Sequence, residues 1–421
     1  MIRSMIPRFF IVLALFFLIQ PSRYAGAQEG VPAAGVDNPF PVPAGLERAV
    51  EFWKLIFTRF SYHELVFHDP TDPTKIYKVM RAEEGSSSGT LVAAERRKIL
   101  GEQNLSEGEN RLRIQRGIKE QFALGLSRSR KHLEQMRRIF QEEGVPTDLV
   151  YLPLVESSFN VHARSRVGAV GLWQFMPKTG KRFLRIGQSI DERKDPLMSS
   201  RAAARYLKEN YRLLGNWPLA ITAYNHGGGG ILRGVREVGS RDLMEIIRSY
   251  QGPAFGFASK NFYAEFLAAV EVAKKSEEFF PDLEYHSPLA LDELELGKAV
   301  SVAALLKHAA VSRSEFLEWN PALNLSLQNI PNWYRVKVPA DKSELFLAAY
   351  RRTSGFAPVP STSSSVQMKA GSWVRHRVAH GETLSELARH YGTSVYEIQR
   401  INGLAGSSLI AAGQNLKIPK R

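Results

Sequence analysis

No cysteine occurs anywhere in the 421 residues. Disulfides and cysteine-ligated metal sites are therefore excluded, as is a lipid anchor attached through cysteine. Long apolar runs are nearly as scarce. The run Phe9 to Ile19 is too short to span a bilayer. Arg3 and Arg8 precede it and Ala25-Gly26-Ala27 follows, so residues 1–27 read as an export signal cleaved before Gln28. The rival reading is an uncleaved anchor. The chain also lacks a His-Glu-x-x-His pattern, a P-loop and a dinucleotide fingerprint. Gly227 to Gly230 has neither a preceding strand nor a following Lys-Ser/Thr, which argues against phosphate binding.

What is present in excess is positive charge, +14 in total. Removing 1–27 takes away Arg3, Arg8 and Arg23 and no acid, leaving +11. Such a protein is drawn to nucleic acid, anionic lipid or an acidic polymer. Export argues against nucleic acid. Peptidoglycan carries free carboxylates, so the cell wall is the consistent target.

The length suggests about two or three domains. Residues 28–105 form an N-terminal region that mixes a helix from Leu46 to Phe60 with an extended piece at Lys75–Val79. Its first part, 28–45, is rich in Pro, Gly and Ala. Leu112, Ile118, Phe122, Leu126, Leu133, Met136 and Phe140 recur at roughly helical spacing. They predict one long amphipathic helix over 106–143, opened by Ser106 and Glu109 as a capping box and closed by Gly144 and Pro146. Residues 145–280 read as mostly helical with loops at Gly168–Gly171 and Gly227–Gly230. The span 106–285 is the expected catalytic domain.

Residues 300–339 and 382–419 are an internal repeat. A shift of 82 places Leu305 on Leu387, His308 on His390, Phe316 on Ile398, Trp319 on Ile401 and Asn320 on Asn402. Each copy ends in a short strand and a proline, Val336-Lys337-Val338-Pro339 and Leu416-Lys417-Ile418-Pro419. The expected units are 295–345 and 374–421. Residues 346–373 are the expected linker, flexible because of the Ser/Pro-rich stretch from Thr353 to Ser365.

The chemistry centres on Glu156, in Val155-Glu156-Ser157-Ser158-Phe159-Asn160. Gly171-Leu172-Trp173-Gln174-Phe175-Met176-Pro177 follows, and then Ala223-Tyr224-Asn225-His226-Gly227. These motifs, in this order, resemble the signature of the lytic transglycosylases with a goose-lysozyme-like domain. Val378-Ala379-His380-Gly381-Glu382-Thr383-Leu384 and Ala411-Ala412-Gly413-Gln414-Asn415-Leu416 resemble the opening and closing motifs of a LysM domain. The first repeat copy lacks Gly-Glu-Thr-Leu and is at best a degenerate LysM-like unit, favoured as a brace over a sugar binder. Together the motifs are similar to the membrane-bound murein transglycosylase D subgroup, over about residues 47–419. Trp173 stands where many members carry Met, and His226 where Ala or Ser is common. Some relatives are lipid-anchored; a chain without cysteine is not expected to be.

The resemblance implies a multidomain architecture: a mainly α lysozyme-like catalytic domain with small βααβ LysM domains. It also implies cleavage of the MurNAc-β-1,4-GlcNAc bond. Most glycosidases use two carboxylates; here one is convincing, and the family closes the MurNAc 6-hydroxyl on C1 instead of using water. Glu156 is then acid first and base second. Its neighbours Leu152, Leu154, Val155 and Phe159 suit a raised pKa. Ser165, Gly171, Gln174, Tyr224, Asn225 and Tyr263 are the implied substrate-binding residues. Gln174 offers a donor and an acceptor to an N-acetyl group, and Tyr224 is expected to hydrogen-bond Glu156 and pack on a sugar ring. The alternatives are a loop-capping role for Ser165 and a core role for Tyr224. Gly381, Thr383, Leu384 and Ile410 are the implied glycan contacts of the LysM domain. Asp191, Glu192 and Asp195 are the candidates for a second carboxylate but read as loop and helix-cap chemistry, and His226 reads as a cleft edge. No cofactor or metal is expected. The expected partner is the peptidoglycan glycan strand, in the periplasm, with at most peripheral association to membrane or wall. No residue pattern identifies a wall-synthesis or amidase partner. A hydrolytic muramidase and a non-catalytic wall-binding scaffold are the competing readings.

Overall fold

The computed structural model describes residues 38–82, 88–105, 111–324, 326–355, 359–360, 373–379, 382–391, 393, 398, 401–402, 404 and 410–419. The expected signal segment 1–27, the Ser106–Glu109 capping box and Gly381 lie outside these residues. The chain divides into two compact units, residues 1–174 with 196–288 and residues 175–195 with 289–421.

The first unit begins with α1 (Glu47–Thr58), β1 (Glu64–His68), β2 (Ile76–Arg81), α2 (Ser88–Glu102) and β3 (Arg113–Arg116). The strands form an antiparallel sheet with β1 in the centre. Leu65 and Phe67 join Leu112, Ile99 and Leu100 in a small core under this sheet. The helix predicted over 106–143 is therefore corrected: it is β3, α3 (Lys119–Ser129) and α4 (Leu133–Glu142). Leu112 and Ile114 alternate toward the sheet core, a period of two that the helical count absorbed. A tight turn at Arg130-Lys131-His132 then separates the two helices, with Lys131 and His132 amides bonded to Arg128 and Ser129 carbonyls.

The rest of this unit is helical. A short 3-10 turn (Thr147–Tyr151) runs into α5 (Leu152–Ser157). The chain then leaves for the second unit, where it forms the one-turn α6 (Pro177–Gly180). It returns as α7 (Pro196–Leu214), α8 (Trp217–His226), α9 (Gly228–Val238), α10 (Leu243–Ser249), α11 (Phe257–Lys274) and α12 (Ser276–Phe279). Asn216 caps α8 by accepting from Leu219 N at 2.9 Å, with Pro218 in the first turn. The loop expected at Gly227–Gly230 shrinks to Gly227, because Gly228 to Gly230 are the first turn of α9. Gly230 has no alternative there: a Cβ would lie 2.5 Å from the His226 ring. α11 is the central helix, buried along Phe262, Tyr263, Phe266, Ala268, Ala269 and Val272. Trp53 of α1 donates to Asn261 Oδ1 at 3.2 Å and fixes the two helices in register.

In the second unit, β4 (Leu291–Glu295), β5 (Val300–Ser301), α13 (Val302–Ala309), α14 (Arg313–Trp319), β6 (Asn329–Ile330) and β7 (Arg335–Pro339) form a βααβ module. β4 pairs antiparallel with β7, so the module starts at Leu291, ahead of the expected 295. α15 (Ser343–Ser354) follows, and β8 (Val359–Pro360) adds to β4. The linker expected from 346 thus begins later. Phe346, Leu347 and Tyr350 give α15 an apolar face that buries in the module core, and Gly355 ends it. The C-terminal copy has β9 (Trp373–Arg377), α16 (Leu384–His390) and β10 (Asn415–Pro419), with β9 and β10 antiparallel.

One asparagine makes the same bonds in both copies. Asn320 donates to the Phe316 and Lys337 carbonyls and accepts from Lys337 N at 2.9 Å. Asn402 donates to the Ile398 and Lys417 carbonyls and accepts from Lys417 N at 2.7 Å. The amide fills both backbone valences of the closing strand, which a helix end alone leaves open.

Segment 175–195 is held to the first module by buried polar groups. Lys337 pairs with Asp195, and their side chains are only 5% and 3% exposed. Asp191 N donates to Ala322 O and Asn324 N to Ser189 O. Lys337→Met would remove the ammonium that faces the buried Asp195 carboxylate. The expected cost is about 3–5 kcal/mol, read as lost hydrogen-exchange protection in β4 and β7.

Candidate active site

Glu156 is the penultimate residue of α5. The helix stops immediately after it because Ser158 and Phe159 both take left-handed backbone conformations, with φ of 49° and 52°. Two successive non-glycine residues in this region store strain, which surrounding contacts must hold. Gly125 of α3 supplies one such contact: a Cβ there would stand 3.1 Å from Ser158 Cα. Ser157 supplies another by donating to Leu172 O at 2.8 Å, which ties α5 to the Gly168–Gln174 loop.

The Glu156 side chain remains partly exposed, while Leu152, Leu154, Val155 and Phe159 around it are buried. Burial of the carboxyl pushes its pKa up to about 8. A carboxyl that is neutral at pH 7 and still reachable is what proton donation to a leaving oxygen requires.

Tyr224, on α8, is also raised, first by burial and then by the charge of Glu156 and by Tyr206. It thus lies within electrostatic reach of the acid. Its hydroxyl donates to Trp173 O at 2.8 Å, and its ring lies 5.4 Å from that of Tyr206. Trp173 is fully buried, stacks on Phe140 and donates to Ser200 Oγ. The unusual tryptophan is therefore a core residue whose backbone orients Tyr224.

The loop holds the other predicted residues. Ser165 Oγ accepts from Ala169 N at 2.9 Å, a loop-capping bond. Gly171 takes φ of 83° and donates its N–H to Ala163 O. The Gln174 amide nitrogen donates to Gly171 O at 2.8 Å, so its donor side is engaged by the loop. Asn225 Oδ1 accepts from Ser259 Oγ of α11 at 2.9 Å. His226 lies beside Phe255, and its pKa is lowered by burial and by Arg233.

Two expectations are corrected. Tyr263 is fully buried, and its hydroxyl donates to Pro41 O at 2.9 Å, so it anchors the N-terminal segment instead of facing substrate. Leu384 is 2% exposed and belongs to the small core of the C-terminal copy. Ile410 packs against that same core. Thr383 is exposed and forms a reciprocal capping box with Glu386 at the start of α16. The acids near Asp191 are engaged structurally: Arg193 pairs with Asp191, Glu192 accepts from Arg185 N, and Asp195 pairs with Lys337.

Sequence reasoning missed Glu265. It lies on α11, partly exposed, and its pKa is pushed up to about 8 by burial and by the charge of Glu156. Glu265 therefore lies within electrostatic reach of Glu156. The signal was available, since Glu265 is the sole acid in the buried run from Asn261 to Ala269.

Comparison with known proteins follows the same residues. The Transglycosylase SLT domain model matches residues 137–247, and the LysM domain model matches 376–419. This chain carries an SLT transglycosylase domain and a C-terminal LysM domain. It is 30% identical over 284 residues to membrane-bound lytic murein transglycosylase D of Escherichia coli (strain K12), covering 66% of this chain and 61% of that protein. The chain thus spans 61% of the length of that relative. Membrane-bound lytic murein transglycosylase C of Haemophilus ducreyi is 36% identical over 121 residues, covering 25% of this chain and 33% of its own. The crystal structure of the 70 kDa soluble lytic transglycosylase of Escherichia coli matches 37% of this chain and 26% of its own, at 23% identity and a TM-score of 0.29. The mainly helical SLT domain, the βααβ module at 291–339 and the small two-stranded C-terminal copy agree with the architecture expected from sequence.

The raised carboxyl gives the SLT domain a defined pH signature. The stability that neutral Glu156 contributes is fully present below the ordinary carboxylate pKa and is lost as pH rises through about 8. Glu156→Gln removes a titrating group, so its thermal stability should gain on the wild type over that window. Melting curves of both proteins across pH check this; parallel curves would show that Glu156 ionises normally.

Proposed function

We propose that this chain is a peptidoglycan lytic transglycosylase. It cleaves the MurNAc-β-1,4-GlcNAc bond and leaves 1,6-anhydromuramoyl ends during wall remodelling. The observation that carries this reading is Glu156, a partly exposed carboxyl whose pKa is pushed up to about 8 by burial. In the reaction, protonated Glu156 gives its proton to the glycosidic oxygen as the bond to C1 breaks. The resulting carboxylate then takes the proton of the MurNAc 6-hydroxyl, whose oxygen closes on C1. The proton returns to Glu156 and no water is consumed. One carboxyl thus serves both steps, which fits a site where its neighbour is also neutral.

Glu265 gives the hydrolytic reading a specific foothold, since it provides the second carboxyl that muramidases use. A hydrolase needs one of the two ionised while the other is protonated. Burial acts on both here, and both are pushed up to about 8. That favours Glu265 as a hydrogen-bonding acid beside the sugar over a base that activates water. Tyr224, Asn225, Gln174, Gly171 and Ser165 would frame the glycan strand around the pair.

The C-terminal LysM domain would hold N-acetylglucosamine stretches and raise the local concentration of the strand through its tether. The βααβ module at 291–339 would brace segment 175–195, as its buried Lys337–Asp195 pair suggests. The site of action would be the periplasm, reached through the leader. Among the described residues no helix is long and apolar enough to cross a membrane.

Mass spectrometry of muropeptides released from purified peptidoglycan tests the reading. Products lighter than the hydrolytic ones by one water are expected. Glu156→Gln should reduce their release by about 10²–10⁴-fold, and Glu265→Gln should slow release without changing product mass. Hydrolytic masses that vanish in Glu265→Gln would make the protein a muramidase. Wall sedimentation without any release, unaffected by either variant, would make it a scaffold.

A further inference from the structure

A groove of about 610 Å³ opens on the first unit, lined by the end of α3, one face of α4, Tyr151, the end of α11 with α12, and Tyr285. None of the residues assigned to the glycan site lines it. Two guanidiniums face it. Arg130 lies 4.7 Å from the centre of the Tyr285 ring. Arg137 donates to the Tyr151 hydroxyl at 2.5 Å and lies 5.6 Å from its ring. Tyr285 is itself fixed by donating to Ser276 Oγ at 2.7 Å. Among the described residues, no carboxylate pairs with either arginine. The neighbouring lysines differ: Lys274 pairs with Asp148 and Lys275 with Glu271. The arginines are therefore oriented by aromatic rings while their forked donors stay unneutralised.

Planar guanidinium forks match carboxylates and phosphates in two-point hydrogen bonds. The rim separates these two chemistries. Glu277 and Glu278 line the same groove and are exposed. They repel a phosphorylated polymer but accept an ammonium group. The volume lies within the range of small-molecule sites and far exceeds what one inorganic anion fills. We propose that this groove binds a short zwitterionic peptide, with two carboxylates on Arg130 and Arg137 and its amino group toward Glu277 and Glu278. The identity of the peptide as a stem peptide of the wall rests on the peptidoglycan reading above; the site itself does not. Such a groove would let the SLT domain sense whether a glycan strand carries peptides.

Isothermal titration calorimetry on the full chain at low salt tests this, with the sugar-free stem tetrapeptide of peptidoglycan and inorganic phosphate as probes. The tetrapeptide is expected to bind saturably. Arg130→Gln and Arg137→Gln should each weaken it by about tenfold, with unchanged melting temperature. Glu277→Gln with Glu278→Gln should weaken the peptide and strengthen phosphate. Should Arg137→Gln lose stability with its Tyr151 bond, the exposed Arg130→Gln carries the test. Phosphate displacing the peptide at equal or better affinity would overturn the peptide assignment, and silence toward both probes would overturn the groove. Cleavage of peptide-free glycan strands is measured in parallel and should be unchanged in Arg130→Gln. Cleavage without peptide binding sinks this inference alone; peptide binding without cleavage sinks the catalytic reading and leaves the groove standing.

Discussion

A carboxyl held protonated near neutral pH while still partly exposed is the feature around which the first unit is arranged. Water stabilises the carboxylate form, so the protein has to remove water from one side of Glu156 and leave the other side free. It does so by ending α5 one residue later in two left-handed residues, Ser158 and Phe159. That turn directs the apolar neighbours inward and leaves Glu156 at the boundary. Gly125 and the Ser157–Leu172 bond then hold the strained turn in place. A larger residue at 125 would press on Ser158 and loosen the position of the acid without touching it.

The same logic governs the partners of Glu156. Tyr224 is positioned by the Trp173 carbonyl, and Trp173 by Phe140 and Ser200, so a buried core aligns a polar site. Glu265 lies on α11, a helix buried along most of its length, within electrostatic reach of Glu156. Its charge and that of Glu156 oppose each other, so ionising one makes ionising the other harder.

The repeated βααβ modules rest on a different device. Each uses one asparagine to join a helix end to the closing strand through three backbone hydrogen bonds. A small module has little core, and a shared polar lock fixes strand register where apolar area is scarce. The first module adds a buried ion pair and α15 to the same frame, while the C-terminal one has neither among the described residues. This difference accompanies the loss of Gly-Glu-Thr-Leu from the first copy and supports its reading as a brace.

The sequence by itself determined the order of the parts. Motif order pointed to Glu156 as the candidate acid, and the 82-residue shift alone was enough to match Asn320 to Asn402. Those signals are local or periodic, and so they survive in one dimension. Tertiary structure decided what is not periodic. It broke the predicted helix over 106–143, because a run spaced for a helix also supplies alternate residues to a sheet. It moved Tyr263 into the core and brought Glu265 within electrostatic reach of Glu156, since the face that a residue on α11 presents depends on what packs around that helix. It also gave Asp195 to Lys337, 142 residues away, a pairing that no spacing rule encodes. Chemistry carried by a motif is legible in sequence; the desolvation and charge coupling that tune it exist only once distant segments meet.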